Sequence, residues 1–288
     1  MTDAVETDIR DYVRELVRAA RRRAGFEFLG QKESECERHG KFIHDEFIDK
    51  DGLVTAGVCP ECHAENEKQR EREESIRMQA ENRARAIASK FESACIPQRF
   101  KDRTLSNYEI HCDKQAAVLE FCKTYAERFN EVLRLGSSII LSGTVGTGKT
   151  HLSIGIANEI ISNGYAALFS TAAGIVRRVR SSWGKNDEDE SAAMNIFIMP
   201  DLLIVDEVGV QSGSDNEHQI LFEILNARYE ACKPTILLTN LPLQDQTENG
   251  SIVRKGLKSF IGERLLDRMR EGGGRAFTLD WKSGRIGR

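Results

Sequence analysis

The chain has 288 residues, a formal net charge of −4, 30% charged residues and 40% hydrophobic ones. This balance excludes a bulk basic nucleic-acid coat, so any nucleic-acid contact has to come from a local basic face, and no apolar run reaches the about 20 residues of a membrane span. A polar N-terminus without an apolar signal segment, and an odd count of seven cysteines, give the expectation of a cytoplasmic protein whose thiols serve as thiols or metal ligands.

Residues 7–23 read as an amphipathic helix, with Ile9, Tyr12, Val13, Leu16, Val17 and Ala20 recurring at spacings of three and four. The closing Arg21-Arg22-Arg23 suits the helix dipole. The apolar stripe either packs on its own domain or binds a partner. Next, Cys36-Glu37-Arg38-His39 and Cys59-Pro60-Glu61-Cys62 flank a 19-residue interval. Each pair brings two ligands to one side of a metal, and thiolates plus imidazole suit tetrahedral Zn²⁺ in a small ribbon or knuckle. His44 and His63 are rival ligands. His39 is preferred because it pairs with Cys36 as Cys59 pairs with Cys62. Four protein ligands make the site structural. Residues 40–58 are expected to form a hairpin turning at Asp51-Gly52, with so little core that metal supplies much of the folding energy. Residues 65–91 mix opposite charges at helical spacing and read as a solvated connecting helix, broken ahead of Pro97. The expected organisation is an N-terminal helix and zinc-binding module for partner binding over 1–64, a charged helical linker over 65–95, and one large domain over 96–288.

In that domain, residues 114–135 are amphipathic and lead into the apolar strand Ser138-Ile139-Ile140-Leu141-Ser142. Gly143-Thr144-Val145-Gly146-Thr147-Gly148-Lys149-Thr150 follows, with the G-x-x-x-x-G-K-T spacing of a phosphate-binding loop, and then a helix over 151–162 that begins at His151. Strand, glycine loop and helix are the context this spacing requires. Backbone N–H groups close around phosphate oxygens and the helix N-terminus adds partial positive charge. Lys149 reaches the β- and γ-phosphates, and the Thr150 hydroxyl ligates Mg²⁺. Further strands are expected at 166–171, 201–207, 234–240 and 276–281, and helices at 172–183, 216–231 and 257–270. Residues 184–191 read as an acidic mobile loop and 247–250 as a loop. Short apolar strands alternating with helices define an α/β fold, a parallel sheet flanked by helices on both faces.

Leu202-Leu203-Ile204-Val205-Asp206-Glu207 supplies the second half of a nucleotide site. Asp206 can hold Mg²⁺ through water, and Glu207 can polarise the attacking water. Adjacent side chains on a strand point oppositely, so the pair requires the strand to end here. Asn240, after the next strand, either orients the same water or caps a turn. Arg264 and Arg268 lie four apart on one helix face. They are candidates for an arginine supplied to a neighbouring subunit's γ-phosphate, the alternative being ion pairs with Glu263 or Asp267.

Taken together, the phosphate-binding loop, the Asp206-Glu207 strand, Thr239-Asn240 and Gly262-Glu263-Arg264-Leu265-Leu266-Asp267-Arg268-Met269-Arg270 resemble the AAA+ ATPases of the DnaC and IstB group. The Ile96-Pro97-x-Arg99-Phe100 entry and the terminal Trp281-x-x-x-Arg285 also resemble it, so the likeness spans residues 96–288. It implies an AAA+ P-loop NTPase whose lid is abbreviated or absent, binding ATP and Mg²⁺. Asn240 then takes the place of sensor 1, Arg268 is the arginine-finger candidate with Arg264 beside it, and Arg285 is the sensor 2 candidate. The resemblance further implies helicase loading in DNA replication: a protein that self-assembles through AAA+ interfaces, binds a DnaB-like replicative helicase and places it on single-stranded DNA. Phe169, Ser170, Thr171, Arg177, Arg178 and Arg180 are candidates for the DNA surface, although each also reads as ordinary core or surface. A close alternative is an IstB-like ATPase directing a transposase on double-stranded DNA. An alternative of another class is a non-catalytic adaptor switched by nucleotide, against which the intact Glu207 argues.

Overall fold

The computed structural model describes residues 2–55, 57–183, 187–210, 215–248 and 251–283. The chain divides into two compact units, Met1–Asn82 and Arg83–Arg288. No helix among the described residues is long and apolar enough to cross a membrane.

The first unit comprises α1 (Thr2–Arg23), β1 (Glu27–Cys36), β2 (Gly40–Ile48) and the first part of α2 (Pro60–Ser93). β1 and β2 pair antiparallel from Glu27↔Ile48 to Cys36↔Gly40. The hairpin therefore turns at residues 37–39, and the expected turn at Asp51-Gly52 is corrected. The cause is the Asp49 carboxylate, which accepts from the N–H groups of Asp51 and Leu53. This side-chain turn curls the chain just past β2, leaving an isolated bridge between Ile48 and Val54. Arg18 fastens α1 to the hairpin: its guanidinium grips both Asp45 oxygens at 2.7 and 2.9 Å and lies 4.5 Å from the Phe28 ring centroid. Tyr12, Leu16 and Val17 stay exposed. Among the described residues of this unit, Phe47 and Cys59 are the buried ones. α2 buries none of its described residues and is the solvated helix that its charge pattern predicts, extended at both ends.

In the second unit, α3 (Asp113–Glu127) and α4 (Phe129–Leu135) stand where one helix was expected, divided at Arg128, whose φ of −100° and ψ of 29° leave the helical region. There follow β3 (Ile139–Gly143), α5 (Lys149–Ser162), β4 (Ala167–Thr171), α6 (Ala172–Arg180), α7 (Asp187–Ile198), β5 (Leu202–Val208), α8 (Asp215–Glu230) and β6 (Thr235–Thr239). The hairpin β7 (Gln246–Glu248) and β8 (Ser251–Arg254), then α9 (Leu257–Ile261), α10 (Glu263–Arg268) and β9 (Arg275–Leu279), complete it. Three expectations are corrected. Residues 187–191 open α7, because an acid-rich stretch ahead of apolar periodicity is a helix start. Residues 247–248 of the expected loop at 247–250 belong to β7. The single helix over 257–270 breaks at Gly262, whose φ of 85° and ψ of 150° are not helical. Residues 184–186 and 249–250 of those stretches lie outside the described residues.

The sheet has five parallel strands in the order β4-β5-β6-β3-β9. Both faces are covered, which is why its strands read as continuous apolar runs. Ile139, Leu141, Leu202, Ile204, Ile236 and Leu238 face α3, α4 and α5. The alternate residues Ile140, Leu203, Val205 and Leu237 face the helices of the opposite layer, as the two-residue period of a strand requires. Ser142, Thr171, Asp206 and Thr239 fall at neighbouring register positions on the C-terminal edge, where open parallel sheets bind their ligands.

Candidate nucleotide and metal sites

The phosphate-binding loop connects β3 to α5. Gly146 and Gly148 adopt φ of 85° and 92°, values that strain any residue with a Cβ. Gly148 is also the N-cap of the 14-residue α5, so free N–H groups and the positive end of the helix dipole meet here. The buried Lys149 ammonium donates to Gly143 O at 2.7 Å, Thr144 O at 2.8 Å and Asn240 Oδ1 at 2.9 Å. Thr150 Oγ1 donates to Asp206 Oδ2 at 3.0 Å. Residues 91 and 56 positions apart in sequence thus converge on the start of one helix. A hydroxyl and a carboxylate at this separation are hard oxygen donors of the kind Mg²⁺ takes, with room for water and phosphate oxygens in its remaining positions.

β5 does not end at Asp206-Glu207. It runs to Val208, but its pairing with β6 jumps from Val205↔Leu237 to Val208↔Thr239. β5 therefore carries one extra residue, a bulge, and Glu207 has a φ of 59°. The requirement inferred from sequence, that the strand stop to release both carboxylates, is met by a break in alternation instead. Asp206 Oδ1 accepts from the Glu207 N–H at 2.7 Å, and Glu207 itself is exposed.

His151 is in the first turn of α5, its Nε2 2.9 Å from Thr104 O and 2.8 Å from Asn107 Oδ1. Two oxygen acceptors fix the tautomer with the proton on Nε2. Burial lowers its pKa below the usual imidazole value, the Thr104 carbonyl acting in the opposite direction. Beside it lies a cleft of about 410 Å³, walled by Arg99, Phe100, Arg103, Tyr108 and His111 and floored by residues 146–151. Tyr108 is a wall residue that no sequence motif signalled. On α10, Arg268 donates to Asn226 Oδ1 and stacks 4.9 Å from the Tyr229 ring centroid, both on α8. Glu263 pairs with Lys258 at 2.7 Å, so it is not a partner of Arg264, which is exposed. Arg285 lies outside the described residues. Among the DNA-surface candidates, Phe169 is core, the Thr171 hydroxyl caps α6 by accepting from Gly174 N–H, and Arg180 pairs with Glu217; Arg177 and Arg178 are exposed.

In the first unit, the ligand atoms of Cys36, His39, Cys59 and Cys62 all lie within 4.8 Å of one another. Cys36 Sγ is 3.6 Å from Cys62 Sγ, and His39 Nδ1 is 3.3 to 3.8 Å from the three sulfurs. Those spacings match the edges of a tetrahedron about 3.5–3.8 Å on a side, which Zn–S and Zn–N bonds generate. The hairpin turn delivers Cys36 and His39. Pro60, at the first position of α2, sets Cys59 just before the helix and Cys62 in its first turn. The N–H groups of Arg38 and His39 hold the Cys36 thiol down to about 6. His39 Nε2 faces Glu65 at 3.4 Å and Glu61 at 3.7 Å, the outer carboxylate arrangement that orients a metal-ligating imidazole. The rivals are elsewhere: His44 Nε2 is 3.0 Å from Ser34 Oγ, and the exposed His63 faces Glu67.

A parallel sheet in this strand order, with Lys149, Thr150, Asp206 and Asn240 gathered at its C-terminal edge, defines a P-loop nucleotide-binding protein of the AAA+ class. The family of IstB-like ATP binding proteins matches residues 71–269, and the chain belongs to that family. It is 31% identical over 209 residues to the replicative helicase loader DnaC of Escherichia coli (strain K12), covering 73% of this chain and 80% of the relative. To the DnaC loader of Buchnera aphidicola subsp. Baizongia pistaciae it is 30% identical over 237 residues, covering 80% and 91%. A crystal structure of the DnaC helicase loader shares the fold with a TM-score of 0.52 at 23% identity, over 65% of this chain and all of that one. AMPPCP-bound DnaA from Aquifex aeolicus gives a TM-score of 0.50 at 25% identity, over 63% of this chain and 51% of that one.

Proposed function

We propose that this chain is an ATP-dependent helicase loader, which binds a DnaB-like replicative helicase and delivers it to single-stranded DNA. The observation that carries the reading is identity above 30% to replicative helicase loaders across four fifths of their length. In this reading Lys149 and the N–H groups of residues 146–150 bind the triphosphate, and Thr150 and Asp206 hold Mg²⁺. The metal, when bound, supplies charge neutralisation for phosphoryl transfer. Glu207 polarises the attacking water and Asn240 orients it. Asn240 reports on the γ-phosphate because the Lys149 contact it makes must yield when phosphate enters. Arg264 is the guanidinium available to a neighbouring subunit, and Arg268 beside it seats α10 on α8. Arg285 is assigned to sensor 2 by its motif.

Residues 1–64 form the partner-binding module, 65–95 the linker and 96–288 the ATPase domain. The set Cys36, His39, Cys59 and Cys62 binds one structural zinc that folds the module, and the exposed Tyr12, Leu16 and Val17 of α1 offer an apolar face to the helicase. The decisive experiment is capture of purified replicative helicase on the immobilised full chain, with and without ATP, followed by ATP turnover with single-stranded DNA. Nucleotide-dependent capture and DNA-stimulated turnover are expected. Intact turnover without helicase capture would sink the loader reading in favour of a transposase-type partner. Capture without any turnover would favour the adaptor.

A further inference from the structure

We infer that Tyr108 and Trp281 are positioning residues for the phosphate-binding loop, tethering the Thr147 carbonyl so that the Gly148 N–H is aimed into the phosphate cradle. The inference rests on the ATP-binding reading above. Trp281 Nε1–H donates to Thr147 O at 2.9 Å, and the Tyr108 O–H donates to the same oxygen at 3.3 Å. These donors lie 134 and 39 residues from their acceptor, one just past β9 and the other in the segment before α3. A carbonyl oxygen has two lone pairs, so both donors can be accommodated. Because the peptide unit is planar and trans, its C=O and N–H point in opposite directions. Drawing Thr147 O outward to the two aromatic side chains turns the following N–H inward, toward the side where Lys149 and Thr150 gather.

The surroundings show that this arrangement is built rather than incidental. A methyl group on Gly148 would come within 2.7 Å of the Tyr108 ring, and one on Gly146 would overlap Ser283 Oγ. The loop is therefore packed from outside against both segments. Asp280, adjacent to Trp281, is held to α3 by Lys114 at 2.7 Å. Tyr108 is fixed edge-on against His151, with ring centroids 5.2 Å apart at 77°. Burial pushes its hydroxyl up to about 12, so it remains a donor throughout the neutral range. Neither residue belongs to the hydrolytic set, and both act through the backbone of the loop.

The test uses the full chain with Trp281→Phe, Tyr108→Phe and the double variant, each keeping a ring and removing one donor. ATP and ADP affinities, steady-state KM and kcat, and melting temperature are measured on all. Each single variant is expected to weaken ATP and ADP binding about threefold to tenfold, the worth of one hydrogen bond. The double variant should weaken it further, and KM should rise with kcat unchanged, alongside the fall of a few degrees in melting temperature that a lost hydrogen bond gives. Wild-type nucleotide affinity in both single variants would overturn the inference, as would a loss of kcat with KM unchanged, which marks a role outside phosphate binding. Because the donors come from separate segments, poor folding of one variant leaves the other to decide. Wild-type protein that fails to bind ATP, or Lys149→Ala binding it equally well, would instead overturn the phosphate-binding reading itself.

Discussion

Removing one metal ligand should unfold the first unit and leave the second standing. The described apolar core of that unit is essentially Phe47, with Cys59 beside it, and burying a phenylalanine side chain is worth about 1.5–3 kcal/mol. A structural zinc contributes on the order of 10 kcal/mol, several times what that burial supplies. Cys59→Ser is expected to abolish stoichiometric zinc and, with it, amide-exchange protection over β1 and β2, while protection over β3 to β6 persists. Atomic emission on the purified chain reads the first effect and hydrogen exchange the second. Acidification should mimic the variant, because the ligands bind metal as thiolate and neutral imidazole and protons compete for both. Zinc retained in Cys59→Ser, or a hairpin still protected after chelation, would refute the reasoning.

Glu207→Gln should keep ATP affinity and lose about 10²–10⁴-fold in turnover, the usual worth of a positioned general base; single-turnover phosphate release beside equilibrium binding checks it, and near-wild-type turnover counts against the assignment. Glu207→Gly should be equally inactive yet more stable by about 1 kcal/mol, because glycine relieves the positive φ; a lower melting temperature would show that the side chain itself holds the bulge. Arg264→Ala should reduce turnover in assemblies with ATP affinity unchanged, whereas Arg268→Ala should also lower the melting temperature, since it loses Asn226 and Tyr229; identical profiles would erase the division of labour. The lowered His151 pKa means that the unfolded chain takes up the proton first, so stability is full above the ordinary value of 6.5 and falls as pH drops below it. His151→Gln should flatten the melting-temperature slope between about pH 7 and 5, and an unchanged slope would place the sensitive group elsewhere.

The sheet was legible because its strands are buried on both faces: Ile139 to Leu141, Leu202 to Val205 and Ile236 to Leu238 can hardly be anything else in a chain of this charge. The loop residues and the convergence of the two Cys/His pairs were legible because backbone geometry ties such groupings to fixed spacing. What escaped was set by interactions across sequence distance. Asp51-Gly52 has the composition of a hairpin turn, but the Asp49 carboxylate captured it for a local curl, and β2 found its partner upstream in β1. The break at Gly262 and the short β7–β8 hairpin left no clear periodic signal. Tyr108 carries no motif at all, since its role lies in one hydroxyl directed at a carbonyl 39 positions away.

The bulge in β5 joins these two levels. A regular strand would send consecutive carboxylates to opposite faces of the sheet, committing one of them to a helix-covered core. An extra residue at Asp206-Glu207 removes that conflict while keeping Val205 and Val208 buried on either side. The cost is a non-glycine residue at φ 59°, about 1–3 kcal/mol, placed where the chain can least exchange Glu207 for glycine without losing its carboxylate. The same displacement aligns Val208 with Thr239, whose hydroxyl donates to Val208 O at 2.7 Å. Asn240, the next residue, is set 2.9 Å from Lys149 by the pairing of Thr239 with Ser142 on β3. The bulge and that pairing together bring Asp206, the amide and the ammonium to a single edge. Deleting either residue of the pair would make the β5–β6 ladder regular and remove a carboxylate, while the β6–β3 pairing that places Asn240 beside Lys149 stays as it is.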